Sequence, residues 1–296
     1  IQNSNPNYCT APLGLLLRTH EPQGLIEAVC KLLPSHADIE KDIDVFFSST
    51  LHDMLRILDK DKVMRDFKEC FIVSDGLLIG FGQPVIDLVA PQNDGNFFKV
   101  AVILMLVCIV EYKGCIPQTL NKFFISLTSL NTASKLNFIE RSQFSLLRFF
   151  NKIYCSYDCC EATQLANLAA EVSECSLNLG LSNVDWWYKG QETLVGPLET
   201  LRYMWYWTLY TDVVVSFEMG KPLFISDDHF DPSITFDIKP PMAQAADSVT
   251  LDKDTAAKLD DPSAIEKDVQ TRRLSILLEF LKISRKCLTE VNGRTT

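Results

Sequence analysis

Residues 196–231 carry the most informative hydrophobic pattern in the chain. Between residues 198 and 219, apolar side chains fall on nearly every face of a helix: Leu201, Met204, Trp205, Tyr206, Trp207, Leu209, Tyr210, Val213, Val214, Val215 and Phe217. Such a pattern is typical of a helix that other helices surround. Pro197 suits the first helical position, and Gly220 followed by Pro222 predicts the helix end. The pattern therefore predicts a deeply buried helix.

One charged residue, Asp212, lies inside this apolar pattern. An isolated carboxylate in a helical core costs several kcal/mol, and buried charges in proteins are generally paired. The pattern therefore predicts that Asp212 forms an ion pair and has a structural role. A catalytic role is the less favoured alternative.

Helical spacing extends over most of the remaining chain. Ser35 suits the N-cap of a helix that carries Ile39, Ile43 and Phe46 on one face. Further helical patterns occupy residues 25–33, 97–112, 120–130, 140–155 and 162–179. The predicted fold class is therefore all-α, a large multi-helix single domain with short irregular connections.

One segment, residues 71–89, lacks helical spacing and contains three glycines and Pro84. This composition predicts an irregular connection. The GLLIGFG run inside it superficially resembles a dinucleotide-binding loop. No strand-helix crossover with a suitably placed acidic residue follows, so the sequence does not support nucleotide binding there.

Composition divides the chain into four parts. Residues 1–32 form an entry arm with a short helix, and residues 33–240 form the helical body. Residues 241–271 have few large apolar side chains and more acidic residues than lysines, which predicts a disordered acidic linker. Residues 272–296 return to helical spacing, so we expect a C-terminal helix that packs on the body.

The formal net charge of −10 argues against nonspecific binding of nucleic acid by this chain, because that affinity comes from basic residues that neutralise phosphates. The longest apolar run, residues 100–110, is too short to span a membrane. No signal peptide is recognisable at the N-terminus. The absence of an initiator methionine, together with the end at Gly293-Arg294-Thr295-Thr296, suggests an excised fragment.

Ten cysteines occur, several inside apolar helical patterns, where a free thiol such as that of Cys108 behaves as a small hydrophobe. This usage favours a reducing compartment. Cys155, Cys159 and Cys160 lack a second pair at zinc-binding spacing, so we expect no metal site in the chain.

The one motif that suggests catalysis is Asp227-Asp228-His229-Phe230-Asp231, a DDxxD string of the kind that binds magnesium diphosphate in helical isoprenoid synthases. Carboxylates at this spacing on a helix would share one face and could bind a hard cation. Here the string lies between Pro222 and Pro232, which predicts a loop instead of a helix. A magnesium-dependent synthase is therefore a minor alternative.

Two further features have both a structural and a functional interpretation. His52 is a conceivable general base, but no nucleophile or carboxylate arrangement accompanies it, so packing at a helix end is favoured. The aromatic cluster Trp186-Trp187-Tyr188 could stack on a ligand or a partner. Anchoring a loop on the core is the favoured interpretation, because aromatic side chains dominate core burial.

Three ordered blocks of residues resemble one protein family. The first runs from Leu33-Pro34-Ser35 through Phe46-Phe47, His52 and Ile57-Leu58-Asp59-Lys60-Asp61 to Phe67, and the second runs from Ser176 to Val184 and contains Leu179-Gly180-Leu181. The third contains Arg202, Trp205, Trp207, Tyr210, Asp212, Gly220-Lys221-Pro222 and Ile225-Ser226-Asp227-Asp228. In this order and spacing the blocks resemble the middle homology region, a regulatory region, of fungal binuclear zinc-cluster transcription factors. Arg202, Asp212, Gly220 and Pro222 match structural positions of the motif.

The resemblance implies a nuclear, non-enzymatic regulatory domain. It implies that zinc and DNA contacts belong to a segment outside this chain, and that a small apolar or metabolic effector, a coactivator or a corepressor acts on this region. A second copy of the chain is a further candidate partner. An aromatic helix inside a helical body can line a largely apolar pocket, which makes Trp205, Tyr206, Tyr210 and Phe217 the candidate ligand-binding residues. A helical interaction scaffold without a ligand is the alternative.

Overall fold

A computed structural model describes residues 10–12, 24–74, 85–91, 98–129, 139–155, 162–229 and 262–293. The first half contains β1 (Thr10–Pro12), α1 (Gly24–Leu32), α2 (His36–Phe47), α3 (Thr50–Leu55), α4 (Lys60–Cys70), β2 (Phe71–Ser74), β3 (Val85–Pro91), α5 (Phe98–Val110) and α6 (Gln118–Ser129). The second half contains α7 (Ile139–Cys155), α8 (Ala162–Asn178), α9 (Val184–Trp187), α10 (Glu192–Val195), α11 (Leu198–Met219) and α12 (Pro262–Gly293). The predicted all-α class is confirmed.

A small antiparallel sheet is the exception to the helical architecture. Its central strand β3 pairs with β1 on one side and with β2 on the other, with Phe71 opposite Leu88. The prediction of an irregular segment over residues 71–89 is therefore wrong at both of its ends, whereas residues 75–84 lie outside the described part of the chain. β3 is rich in β-branched and apolar residues, which favour a strand once pairing partners are available.

Helix α11 lies at the centre of the second half, in contact with α7, α8 and α12. Its burial confirms the prediction from the apolar pattern. Phe217 is an exception, because 73% of its surface is exposed. Tyr210, Val214 and Phe217 share one stripe of the helix, and exposure along this stripe increases toward the C-terminal end. The predicted burial of Phe217 is therefore wrong.

Helix α5 is the second central element, buried along nearly its whole length and in contact with α2, α4 and α7. An ion network joins α4 to α7 beside it. Buried Lys62 donates to Asp66 at 2.7 Å and also to Glu140. Burial lowers the pKa of Lys62, but the charges of Glu140 and Asp66 outweigh this effect and raise it above the ordinary value. The network therefore keeps a charged lysine inside the helical body.

Helix α12 packs on α11 through the buried side chains of Leu278, Leu281 and Arg285. It begins at Pro262, so the boundary predicted at residue 271 between linker and helix is wrong. A proline is well suited to a helix start because its missing N–H has no partner there. The rest of the predicted linker, residues 241–261, lies outside the described part of the chain. Among the described residues, no helix has both the length and the apolar character needed to cross a membrane.

Candidate functional site

Asp212 lies in a buried polar network that joins three segments of the described chain. Its carboxylate is fully buried and accepts hydrogen bonds from the backbone N–H groups of Phe224 at 2.7 Å and Ile225 at 3.1 Å. The guanidinium of Arg285 donates from Nη1 to the same carboxylate at 3.1 Å. The prediction of an ion-paired structural aspartate is therefore confirmed.

Arg285 connects α12 to both α11 and the segment that follows α11. Besides Asp212, it donates to Asp227 Oδ1 from Nε at 3.1 Å and from Nη2 at 2.9 Å, and Nη2 also donates to the carbonyl of Ile225. Burial raises the pKa of Asp212, and the bonds from Phe224 and Arg285 oppose that rise. We call this set of contacts the Asp212–Arg285 staple.

The end of α11 explains how the backbone donors reach Asp212. Gly220 adopts a left-handed conformation with a φ of 60°, which suits a glycine at a helix end. The N–H of Lys221 donates to the carbonyl of Ser216 at 3.1 Å, and the hydroxyl of Ser216 donates to the carbonyl of Pro222 at 3.3 Å. These bonds reverse the chain so that the next residues face Asp212.

Of the four motif residues, the structure brings Asp212, Gly220 and Pro222 together. Arg202 lies near the other end of α11 and pairs with Asp185 of α9 at 2.7 Å on the surface. Arg285 was not singled out from the sequence. In the sequence, Arg285 stands between Leu281 and Leu288 on the apolar face of a predicted helix. A cation at such a position needs a buried partner, and this pattern could have identified it as the partner of Asp212.

An open cavity of about 470 Å³ adjoins the staple. Its walls come from the segment after α11 and from the last turns of α12: Pro222, Leu223, Ile225, Ser226, Asp227, Asp228, Thr289 and Asn292. The lining combines apolar side chains with hydroxyl, amide and carboxylate groups.

The DDxxD string does not form a carboxylate cluster within the described residues. Asp227 to His229 form a 3₁₀ turn, in which Asp227 is paired with Arg285 and Asp228 accepts from the hydroxyl of Ser226 at 3.2 Å. The third carboxylate, Asp231, lies outside the described residues. Where the structure describes the chain, no group of three metal-ligating side chains is present. The arrangement of Asp227 and Asp228 is that of a turn tied to a helix.

The predicted ligand-binding aromatics are only partly brought together. Tyr206 and Tyr210 lie with ring centroids 6.4 Å apart, and both contact Trp207, whose Nε1 donates to the carbonyl of Leu55 at 2.8 Å. Trp205 is buried in the core, whereas Phe217 is exposed. The cavity beside the staple is lined by none of these side chains.

In the aromatic cluster after α8, two side chains anchor a loop and the third is exposed. Trp187 Nε1 donates to the carbonyl of Gly180 at 2.9 Å, and the Tyr188 hydroxyl donates to the carbonyl of Gly196 at 3.0 Å. Both contacts confirm that the cluster anchors a loop. Trp186 does not take part, because 87% of its surface is exposed.

His52 packs beside Phe46 and Phe47, with its ring centroid 4.6 Å from that of Phe47. Burial lowers the pKa of His52, so the ring is neutral near pH 7. The packing role predicted for it is confirmed. Cys108 is buried, and burial raises the pKa of its thiol to about 12, which fits its predicted role as a small hydrophobe.

Comparison with known proteins gives one consistent result. No family model matches the chain, and no solved structure matches it. The zinc finger transcription factor YRM1 of Saccharomyces cerevisiae is 31% identical over 92% of the chain. The chain is homologous to one region of the fungal zinc-cluster transcription factors. Transcription factor PDR8 and zinc finger transcription factor YRR1 of the same yeast are 29% and 28% identical over 88% and 78% of the chain.

The homology confirms the zinc-cluster resemblance that the three sequence blocks indicate. The chain spans about a third of the length of YRM1 and PDR8, so the similarity concerns one part of those two proteins. Since these relatives are transcription factors, the homology supports a function in transcriptional regulation over a catalytic one.

Proposed function

We propose that the chain is the regulatory region of a nuclear zinc-cluster transcription factor and that it senses an effector. The observation that carries this proposal is the similarity to YRM1 over 92% of the chain. The net charge of −10 disfavours DNA contacts by this chain and so supports the proposal that another segment of the factor holds the zinc and contacts DNA. The helical region then controls how strongly the DNA-bound factor activates transcription.

The staple and its cavity provide a physical route for sensing. The segment after α11 lines the cavity and also holds Asp212 and Arg285 through its backbone. A ligand in the cavity therefore contacts the same residues that connect α11 with α12. If the ligand binds one arrangement of this segment more tightly than another, it shifts the balance between them. A coactivator or corepressor that binds only one of the two arrangements would then couple ligand binding to transcription.

The aromatic residues of α11 are the alternative effector surface. Trp205 and Tyr206 are buried, so a ligand reaches them only when neighbouring helices separate. Tyr210 is partly exposed and continues toward Phe217 at the surface. We place the effector at the cavity beside the staple, because that space already exists and has polar groups to orient a ligand.

A thermal-shift screen tests effector binding. Metabolites, drugs and lipids are added one at a time, and a ligand of the cavity raises the melting temperature. Thr289→Trp fills the cavity and should abolish the shift, whereas Glu290→Trp on the exposed neighbouring position should leave it unchanged. If no compound in the library raises the melting temperature of the original chain or of the Glu290→Trp variant, the chain does not sense those ligand classes. The scaffold alternative would then remain.

A reporter assay tests the regulatory role independently of any ligand. The chain is inserted between an unrelated DNA-binding domain and an unrelated activation domain. We expect insertion to change reporter output relative to the direct fusion, and Asp212→Ala, which breaks the staple, to cancel the change. Equal output from all fusions at equal protein level would argue against a regulatory function.

A protein-interaction scaffold is the second candidate function. Its supporting observation is Trp186, whose indole is exposed at the surface beside the anchored Trp187 and Tyr188. Tryptophan is among the residues that dominate binding energy at protein interfaces. Trp186→Ala should then reduce recruitment of a coregulator without lowering the melting temperature, because this side chain contributes little to the core.

A further inference from the structure

Helix α12 has a second apolar face that no described residue covers. Ile276, Phe280, Ile283 and Val291 are each more than half exposed, and Cys287 is exposed as well. The opposite face, with Leu278 and Leu281, is the one that packs on the body. A surface helix normally needs only one apolar face, so the second one requires its own explanation.

The spacing of this face is that of a coiled-coil seam. From Ile276 the steps to Phe280, Ile283 and Cys287 are four, three and four residues, which is the alternation of d and a positions in a heptad repeat. With Val291 beside its end, the seam is about 22 Å long at the α-helical rise per residue. A seam of this kind fits another helix with the same repeat.

Charges beside the seam indicate the identity and direction of that helix. Glu279 and Lys286 occupy successive g positions, on the side of the seam away from the body. In an antiparallel pair of identical helices g positions face each other, so Glu279 meets Lys286 of the second copy and Lys286 meets Glu279 of the second copy. In a parallel pair they would face the uncharged Ser284 and Val291 instead. Charge complementarity therefore favours a second copy in the antiparallel direction.

We propose that two copies of the chain associate through α12, antiparallel, about a two-fold axis near Phe280 and Ile283. Such an interface is isologous, because each copy contributes the same patch. Glu279 also contacts Lys282 of its own helix at 3.1 Å, and in the pair it interacts with both lysines. This proposal goes beyond regulation by an effector, since it concerns how many chains form the regulatory unit.

Disulfide trapping tests the direction of the pair. Antiparallel packing places residue 276 of one copy beside Cys287 of the other, within reach of a disulfide. Mild oxidation of Ile276→Cys should give a covalent dimer, and the double variant Ile276→Cys/Cys287→Ser should not. Cross-linking of the original chain through Cys287, lost in Cys287→Ser, would indicate a parallel pair and overturn the proposal.

A charge swap tests the recognition without relying on cysteine. Light scattering over a dilution series should show a dimer that dissociates at about tenfold higher concentration when Glu279→Lys is introduced. Glu279→Lys/Lys286→Glu should restore association, which a loss of folding could not produce. Circular dichroism of each variant checks that α12 is retained. A mass of one chain at every concentration of the original protein would refute the association.

Discussion

Replacing Asp212 with alanine should be among the most damaging single substitutions in the chain. The change leaves the buried N–H of Ile225 and the part-buried N–H of Phe224 without an acceptor, and losing the acceptor of a buried donor costs about 1–3 kcal/mol. It also removes the buried partner of Arg285, whose bonds to Asp227 and to the carbonyl of Ile225 remain. Breaking a buried ion pair from one side costs about 3–5 kcal/mol in proteins. We therefore expect the free energy of unfolding to fall by about 3–5 kcal/mol.

Asp227→Ala is the matched control, because Asp227 contacts the same guanidinium from a side chain that is 53% exposed. Because the Asp227 side chain is half exposed and Arg285 keeps its buried partner Asp212, this variant should lose only about 1 kcal/mol. Urea unfolding followed by tryptophan fluorescence measures both variants, since all four tryptophans lie between residues 186 and 207. Equal losses for Asp212→Ala and Asp227→Ala, or a loss below about 1 kcal/mol for Asp212→Ala, would refute the assigned energetics.

Three further predictions concern a buried carboxyl group, a pair of buried aromatic side chains and an exposed helix N-cap. Burial and the nearby charge of Glu111 raise the pKa of Asp42 to about 6, above its ordinary value of 3.8, so the folded chain binds this proton more tightly than the unfolded chain does. Stability from this group is present below about pH 4 and falls by about 1–2 kcal/mol as the pH rises to about 6, and Asp42→Asn should remove that slope in urea titrations. Trp207→Phe should lower the free energy of unfolding by about 1–3 kcal/mol, because the indole N–H of Trp207 donates a hydrogen bond in the core. Tyr203→Phe should change it by no more than about 0.5 kcal/mol, because the Tyr203 hydroxyl has no hydrogen-bond partner among the described residues. Ser35→Ala should cost about 1 kcal/mol through loss of the N-cap of α2, and a wild-type melting temperature would contradict this.

Several local features of the fold could be predicted from the sequence alone. The limits of α11 follow from Pro197 and Gly220, and the start of α2 follows from Ser35, because each residue satisfies or terminates backbone hydrogen bonding within a few positions. The need of Asp212 for a charged partner was equally visible, since burial of an unpaired carboxylate is costly in any helical core.

Other features were decided only when distant segments came together. The partner of Asp212 is Arg285, separated from it by a segment whose path no periodicity specifies. Strand β3 forms because β1 and β2 supply its hydrogen bonds, and an isolated strand has no such partners. Phe217 continues an apolar stripe but is exposed, because no described helix covers that turn of α11. Sequence periodicity thus determined which faces are apolar and which charges need partners, whereas the packing of the helices decided which faces are covered and which partners are reached.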